Sequence, residues 1–390
     1  MRTGKSQRGF TLLELMVASA IGLVVMAAMT SLFKLGMAAT FTVTQRAETQ
    51  QNMRAAMEMM TKDISLAGSG LPTGGLQLAT SAGAGPLSEY GCNQTGTCYV
   101  PAHAYPNNGS GGGNYMYGIL PGFNNGVQGN AVIPNAPGQI NSSITSIYCD
   151  YSFPLDAFKI TVPAANNGTV ATVTVPNPPA PSPPSILAAG GLATGDLLLF
   201  VVSSPGNGTG TQGTSSVQTG AVVGEITSLP NNSTINFAAG DPLNFNQAGG
   251  TITNNMASIA GSAVANMSVC RLYAVTYFLQ VPPAGGTTQT PRLMRQVNGQ
   301  NAIPVADNII NLQITYDVID SILGTISANQ RDPIGAGLSP SLIRKVNLWV
   351  IGESLTNTGN KSQSMYLATS VSARNMSFCN SQSNSTTACQ

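Results

Sequence analysis

An uncharged run near the N-terminus constrains this chain more than any other feature of its sequence. Residues 15–33 contain no charged side chain. Their number approaches the roughly 20 residues that an α-helix needs to cross a bilayer. We therefore expect one transmembrane helix at about residues 13–33.

A short basic leader precedes this run. Its charged side chains are Arg2, Lys5 and Arg8. Because positive charge is retained on the cytoplasmic side of a membrane, residues 1–9 should lie in the cytoplasm. Everything after Lys34 should then be exported, which predicts a single-pass protein of the inner membrane with a periplasmic head.

Glu14 places a carboxylate inside the apolar stretch. Such a charge costs about 2.5–3.5 kcal/mol at the centre of a membrane helix and less near its edge. A cut between Gly9 and Phe10 would create a free α-amine on Phe10, and this amine could pair with Glu14 of a neighbouring subunit. Two simpler interpretations stay open: a secretory signal with residues 18–20 as its cleavage site, or a plain membrane anchor that leaves the acid unexplained.

The segment Gly9-Phe10-Thr11-Leu12-Leu13-Glu14, followed by an apolar helix, resembles the signature of type IV prepilins and type II secretion pseudopilins. The resemblance implies that prepilin peptidase cuts after Gly9 and methylates Phe10, and that Glu14 aids recruitment and registration of the subunit. It also implies partners, namely the peptidase, the inner membrane before assembly, and other major and minor pilins that contact the N-terminal helix. The final location would be an extracellular pilus.

The helical pattern continues beyond the membrane. Apolar side chains recur at the spacing of one helical face, namely Met53, Met57, Met60 and Ile64. Glycine at position 68 and proline at position 72 favour termination. We predict one helix over residues 10–67, roughly 85 Å long.

Residues 68–390 have the composition of an exported, β-rich head. Only 8% of the side chains in the whole chain are charged, against about 25% in an average soluble domain. We expect a pilin-like α+β fold, in which an antiparallel sheet with long loops packs on the rear half of the helix. Residues 68–145 are predicted to be loop-rich, and residues 176–184 and 206–213 to be flexible. Strands are predicted at residues 158–162, 169–175, 196–202, 221–229, 269–281, 293–297, 309–318, 342–351 and 365–376.

The C-terminal third carries a second resemblance, over residues 270–378. It rests on the segments 273–277 (YAVTY), 292–295 (RLMR), 305–309 (VADNI), 312–317 (LQITYD), 343–346 (IRKV) and 372–375 (SARN). These look like PilW-type minor pilins, which are relatives of the J-type pseudopilin of type II secretion. The resemblance implies a tip complex that primes filament assembly and, in some members, contributes to adhesion, twitching or DNA uptake.

The cysteines form an even set of six without a C-x-x-C pair: Cys92, Cys98, Cys149, Cys270, Cys379 and Cys389. In an exported domain such a set indicates disulfides, whose connectivity the sequence alone does not determine. The short spans 92–98 and 379–389 favour local bridges, which would leave Cys149 with Cys270. Reduced, buried cysteines are the alternative if the domain stays in the cytosol.

No catalytic or cofactor site is visible in the sequence. The only histidine, His103, lies between prolines and is not spaced for a catalytic triad or a zinc site. We predict no metal or cofactor, although calcium could be held by Asp317 with Asp320 or by Asp307 with Asp241. Basic residues form no patch, so we predict no nucleic-acid partner.

Together these features predict a structural subunit rather than an enzyme, namely a minor pilin that supports assembly of a type IV pilus. Two alternatives remain. One is a tip adhesin that uses residues 76–145 and 176–260 as a binding insertion. The other is a type II secretion pseudopilin.

Overall fold

The computed structural model describes residues 9–71, 76–78, 90, 114–123, 142–163, 169–174, 185–204, 218–243, 245–246, 266–280, 291–320, 323–331, 333, 338, 340–354 and 363–373. The leader charges Arg2, Lys5 and Arg8 lie outside these residues. So do His103 and the two segments predicted to be flexible, 176–184 and 206–213.

One long helix, α1, covers Leu12–Leu66, within two residues of the prediction at either end. At 1.5 Å per residue it is about 83 Å long. Its chain turns away at Gly68 and Gly70, whose φ angles are +79° and +77°. Glycine adopts this left-handed backbone without steric cost, which is why it commonly follows a helix.

Seventeen strands follow α1 in the described part of the chain. They are β1 (Leu76–Leu78), β2 (Asn114–Met116), β3 (Ile119–Phe123), β4 (Ser142–Asp150), β5 (Lys159–Thr161), β6 (Val170–Thr174), β7 (Leu197–Ser204), β8 (Gln218–Glu225), β9 (Ser228–Asn231), β10 (Thr234–Asn236), β11 (Asn266–Gln280), β12 (Arg292–Val297), β13 (Ile303–Asp307), β14 (Ile309–Ile319), β15 (Ile326–Gln330), β16 (Ile343–Ser354) and β17 (Gln363–Val371).

Two antiparallel sheets flank the rear of α1. The main sheet has the order β13-β12-β11-β4-β3, and β7 with β8 joins it through β11. The long β11 makes this possible, because residues 266–272 pair with β7 and residues 275–280 pair with β12. The second sheet, called here the C-terminal sheet, has the order β15-β14-β16-β17.

Two smaller ladders complete the described head. Strands β5-β6-β10-β9 form a four-stranded sheet, and β1 pairs with β2. The sheet β5-β6-β10-β9 shares an apolar core with β7 and β8 of the main sheet, and this core includes Phe158, Phe200 and Phe237. A third core lies on the other face of the main sheet and contains Leu197, Leu199 and Leu272.

The largest core joins α1 to both flanking sheets. It contains the helix residues Met53, Met57, Met60 and Ile64 together with apolar side chains of β4, β11, β14 and β16. All four helix residues were predicted to share an apolar face. Their burial, with exposed fractions of 0–5%, confirms that prediction.

The α+β, pilin-like fold is confirmed, but two details of the predicted head are wrong. The head has four described sheets rather than one. The predicted strand at residues 221–229 is divided, since β8 ends at Glu225 and β9 begins at Ser228. The described part of residues 68–145, which were predicted to be loop-rich, contains β1, β2, β3 and the start of β4.

Candidate functional site

The candidate site is α1 itself, from the predicted cleavage point to its attachment in the head. Gly9, Phe10 and Thr11 precede the helix, have no regular secondary structure and are exposed. A Cβ atom added at Gly9 would meet nothing within 4 Å. The bond between Gly9 and Phe10 is therefore accessible, and the chain itself does not require glycine there.

Glu14 takes part in the N-terminal cap of the helix. The backbone N–H of Glu14 donates to Thr11 Oγ1 at 3.3 Å, and the backbone N–H of Thr11 donates to Glu14 Oε2 at 3.3 Å. This reciprocal pair is a capping box, which satisfies N–H groups that have no partner inside a helix. The sequence suggested a partner for Glu14 on another subunit, whereas within one chain its partner is Thr11.

The front half of α1 is apolar and uncovered. Residues 12–37 are all exposed, which corresponds to roughly 40 Å of helix. Phe10 is 83% exposed, and large apolar side chains remain exposed as far as Val43. α1 is long and apolar enough to cross a membrane. A surface of this kind needs a lipid or protein environment, because water disfavours it.

The rear half of α1 is held by a buried acid. Asp63 accepts a hydrogen bond from the Tyr148 hydroxyl at 2.9 Å, from the Tyr277 hydroxyl at 2.6 Å and from Arg295 Nε at 2.9 Å. Arg295 Nε also donates to the Tyr277 hydroxyl oxygen at 3.2 Å. These residues come from α1, β4, β11 and β12, so this Asp63 network fixes the helix to the main sheet.

The electrostatics of the Asp63 network are consistent with this role. Burial and then the charge of Asp63 raise the pKa of Tyr148 and of Tyr277 above the ordinary value near 10. Burial alone would lower the pKa of Arg295, but its hydrogen bond to Asp63 and the charge of Asp63 outweigh that effect and raise it. Both tyrosines therefore remain donors, and Arg295 remains a cation, at neutral pH.

The Asp63 network was not predicted from the sequence. Asp63 is three residues after Met60 and seven after Ala56, a spacing that places it on the same helical face as these two apolar residues. A buried acid needs a hydrogen-bonding or charged partner. The position of Asp63 on this face therefore indicated that such a partner exists. Its partners Tyr148, Tyr277 and Arg295 are 85, 214 and 232 residues away, so only the folded chain identifies them.

The turn after α1 is fastened to β4. The N–H of Gly68 donates to the Ile147 carbonyl at 2.8 Å, and the N–H of Cys149 donates to the Ser69 carbonyl at 2.8 Å. A Cβ atom on Gly118 would lie only 2.7 Å from the Cα of Gly68. The absence of a side chain at Gly118 thus allows the two backbones to meet.

One disulfide is described, and it joins Cys149 of β4 to Cys270 of β11. This pairing agrees with the prediction, in which local bridges at residues 92–98 and 379–389 leave Cys149 to pair with Cys270. The other four cysteines, Cys92, Cys98, Cys379 and Cys389, lie outside the described residues, so their local bridges stay predictions.

The aspartates considered for calcium are engaged by N–H groups or cations. Asp317 lies 3.6 Å from Lys345 Nζ, and Asp307 lies 2.7 Å from Arg292 Nε. Asp241 accepts two backbone N–H bonds, at 2.7 and 2.9 Å, and Asp320 accepts one from Leu323 at 2.9 Å. Within the described residues, no three His, Cys, Asp or Glu side chains are grouped so as to hold a metal ion.

Comparison with known proteins gives one match. Residues 4–30 fit the family model described as the prokaryotic N-terminal methylation motif. Neither the curated proteins nor the solved structures contain a significant match to the chain. The motif supports a type IV pilin- or pseudopilin-like prepilin that is anchored by one membrane helix. Such proteins are processed by prepilin peptidase and assemble with other pilins, and their role is structural rather than catalytic.

Proposed function

We propose that this chain is a minor pilin that is incorporated into the tip or priming complex of a type IV pilus and supports pilus assembly. The observation that carries the proposal is the position of the methylation motif, residues 4–30. It lies at the start of a helix whose front half is exposed and apolar and whose rear half is fixed in a β-rich head.

The proposed processing begins at the bond between Gly9 and Phe10. This bond lies outside the helix and is exposed, which a peptidase needs because its substrate must fit the cleft in an extended form. Before the cut, the leader with Arg2, Lys5 and Arg8 holds this end in the cytoplasm. Prepilin peptidase then releases the leader and methylates the new amine of Phe10.

Cleavage changes the electrostatics around Glu14. The new ammonium of Phe10 is one residue before Thr11, whose N–H already donates to the Glu14 carboxylate at 3.3 Å. A full positive charge thus appears beside an acid that the capping box only partly satisfies. In an assembled filament the ammonium of one subunit pairs with Glu14 of its neighbour, and this pairing offsets the cost of placing both charges in an apolar core.

The exposed front of α1 supplies the packing surface for assembly. Before assembly it occupies the inner membrane, and afterwards the same side chains pack against the helices of neighbouring pilins. Because the Asp63 network fixes the rear of α1 to the main sheet, the head follows the helix as a unit. Each head then takes a defined position on the outside of the filament.

The assignment to PilW-type minor pilins draws on the C-terminal third. Of the segments that carry this resemblance, YAVTY lies in β11, RLMR in β12, LQITYD in β14 and IRKV in β16. RLMR ends in Arg295, which binds Asp63 of α1. The resemblance therefore lies in strands that contact α1. This is expected if PilW-type minor pilins and this chain attach the head to the helix in the same way.

Sheared filaments from cells that express single variants test the proposal. We expect Gly9→Ala to stay in the membrane at precursor size, since the structure leaves room for a Cβ at Gly9 and only the peptidase discriminates against it. Glu14→Ala should be processed but absent from filaments. Glu58→Ala removes an exposed acid from the rear of the same helix and should assemble normally.

Two results would refute the proposal: wild-type chain never found in purified pili, or Glu14→Ala assembled as well as Glu58→Ala. A pseudopilin has the same motif, and it is distinguished by loss of protein secretion rather than of pili when the chain is deleted. A tip adhesin that uses residues 76–145 and 176–260 is distinguished by deletions within those ranges that spare the described strands, such as residues 124–141 and 247–260. These deletions would abolish surface binding but leave pili intact.

A further inference from the structure

The C-terminal sheet has one face on the helix and one face away from it. Val346, Leu348 and Val350 of β16 belong to the core that contains α1. Successive side chains of a strand point to opposite faces, so Trp349 and Ile351 lie on the outer face. This face carries a groove of about 660 Å³, within the range of roughly 300–1,000 Å³ that is common for ligand sites.

Two aromatic rings line the groove together with the aliphatic side chains of Ile310, Ile351 and Met365. Trp349 is the only tryptophan of the chain and is half-buried, whereas Tyr366 is 82% exposed. Ile351 pairs with Tyr366 across the β16–β17 ladder, and Trp349 pairs with Ala368. The two rings are therefore diagonal neighbours on one face, about 7–8 Å apart at the backbone. Tyr366 is exposed and Trp349 is partly exposed, so both rings are accessible to a ligand in the groove.

Polar side chains border the rings on the opposite side. Gln313 is directly across from Trp349 in the β14–β16 ladder. Asn329 is held in a left-handed backbone conformation, with φ +55°, by a 2.9 Å bond from its N–H to Asp317 Oδ1. Its side-chain Oδ1 lies 3.4 Å from Thr315 Oγ1 and 3.4 Å from Asn347 Nδ2, which places the amide at the edge of the groove.

Arg331 gives the groove its charge. It is exposed, and among the described residues that line the groove it is the only charged one. No ion pair joins it to another described residue. Its guanidinium presents donors in a fixed planar fork, which matches the two oxygens of a carboxylate.

We propose that this groove binds an acidic oligosaccharide. A sugar ring has an apolar face of C–H groups that stacks on Trp349 and Tyr366, and its hydroxyls exchange hydrogen bonds with the amides of Gln313 and Asn329. The carboxylate of a uronic acid then binds Arg331. The site is separate from the pilin role, because it needs neither processing nor the front of α1.

Other polymers fit the groove less well. A nucleic acid would require several cations along its phosphates, whereas the part of the groove lining that the structure describes supplies one. A peptide laid across the face of a sheet leaves its backbone N–H and C=O groups without partners. Sugar hydroxyls can rotate to suit the amides they meet, which favours a saccharide.

The tryptophan supplies a direct test. Full-length protein in a polyoxyethylene detergent, which carries no sugar headgroup, is titrated with tetragalacturonic acid and with neutral maltotetraose. Binding to the acidic ligand should shift the emission of Trp349. The neutral ligand should bind at least about tenfold more weakly, the scale of one charge-assisted hydrogen bond.

Three exposed-residue variants separate the contributions. Tyr366→Ala should weaken binding about threefold to tenfold, the scale of an aromatic contact, and Arg331→Gln should remove the preference for the acidic ligand. Tyr151→Ala removes a tyrosine that is 68% exposed and does not line the groove, and it should bind like the parent protein.

The proposal is overturned if tetragalacturonic acid changes neither the emission nor the heat of mixing in calorimetry. Equal affinity for both ligands would also overturn it, as would an equal loss of affinity in Tyr366→Ala and Tyr151→Ala. Because the substituted side chains are exposed, all three variants should keep the parent's circular dichroism spectrum, so a loss of binding reports on the groove.

Discussion

Replacing Asp63 by asparagine tests how the helix is held by the head. The variant keeps the size of the side chain but removes the charge that Arg295 pairs with at 2.9 Å. Side-chain exposure is 7% for Asp63 and 20% for Arg295, so the pair is nearly but not fully removed from water. Breaking a buried ion pair costs about 3–5 kcal/mol. The partial exposure of Arg295 places the expected loss near the lower end, at about 3 kcal/mol.

Urea unfolding of the detergent-solubilised chain measures this loss. Fluorescence of Trp349 reports on the C-terminal sheet, which packs on α1 through the same core. The midpoint should fall while the slope with urea stays unchanged. Asp307→Asn is the matched control, because it breaks an exposed ion pair. In that pair the side chain of Arg292 is 47% exposed and that of Asp307 is 56% exposed. Its expected cost is below about 1 kcal/mol.

A second substitution separates charge from packing. In the double variant Asp63→Asn with Arg295→Met, the unpaired cation is gone, so the loss should be smaller than the sum of the two single losses. Our explanation is refuted if Asp63→Asn and Asp307→Asn lower the midpoint equally, or if the two single losses simply add.

Two further predictions concern pH and redox state. In the folded chain the pKa of Tyr148 and of Tyr277 is raised. Above about pH 10 these tyrosines therefore ionise in the unfolded chain but stay protonated in the folded chain. Their contribution to stability is complete below that pH and decreases above it. The urea midpoint should therefore fall above pH 10 more steeply in the parent than in the Tyr148→Phe/Tyr277→Phe variant, and parallel curves would contradict this. Serine at both Cys149 and Cys270 opens a bridge across 121 residues and should cost about 4 kcal/mol in urea unfolding. An unchanged midpoint, in the variant or after reduction of the parent, would count against the bridge.

The helix and most of the described strands were predictable because their patterns are local. The spacing of Met53, Met57, Met60 and Ile64 identified the buried face of α1, and alternation along β16 identified that strand. β4 was missed because six consecutive residues, 144–149, are buried. One side of β4 faces the core around α1 and the other faces the core behind the main sheet, so no polar and apolar alternation results.

The candidate site was predictable only in part, for the same reason. The cleavage point and Glu14 lie within six consecutive residues, which a linear motif describes. β3 contains Pro121 and Gly122, which usually mark turns, so the sequence pointed away from a strand there. The groove around Trp349 depends on the register between three strands, and register is set by the folded sheet as a whole.

Mass spectrometry of the chain extracted from membranes and from sheared filaments tests directly whether the chain is cut between Gly9 and Phe10 and methylated. We predict one mature N-terminus, at Phe10, with the mass of one added methyl group on its amine. A chain that begins at Met1, or one that begins after Ala20, would contradict it.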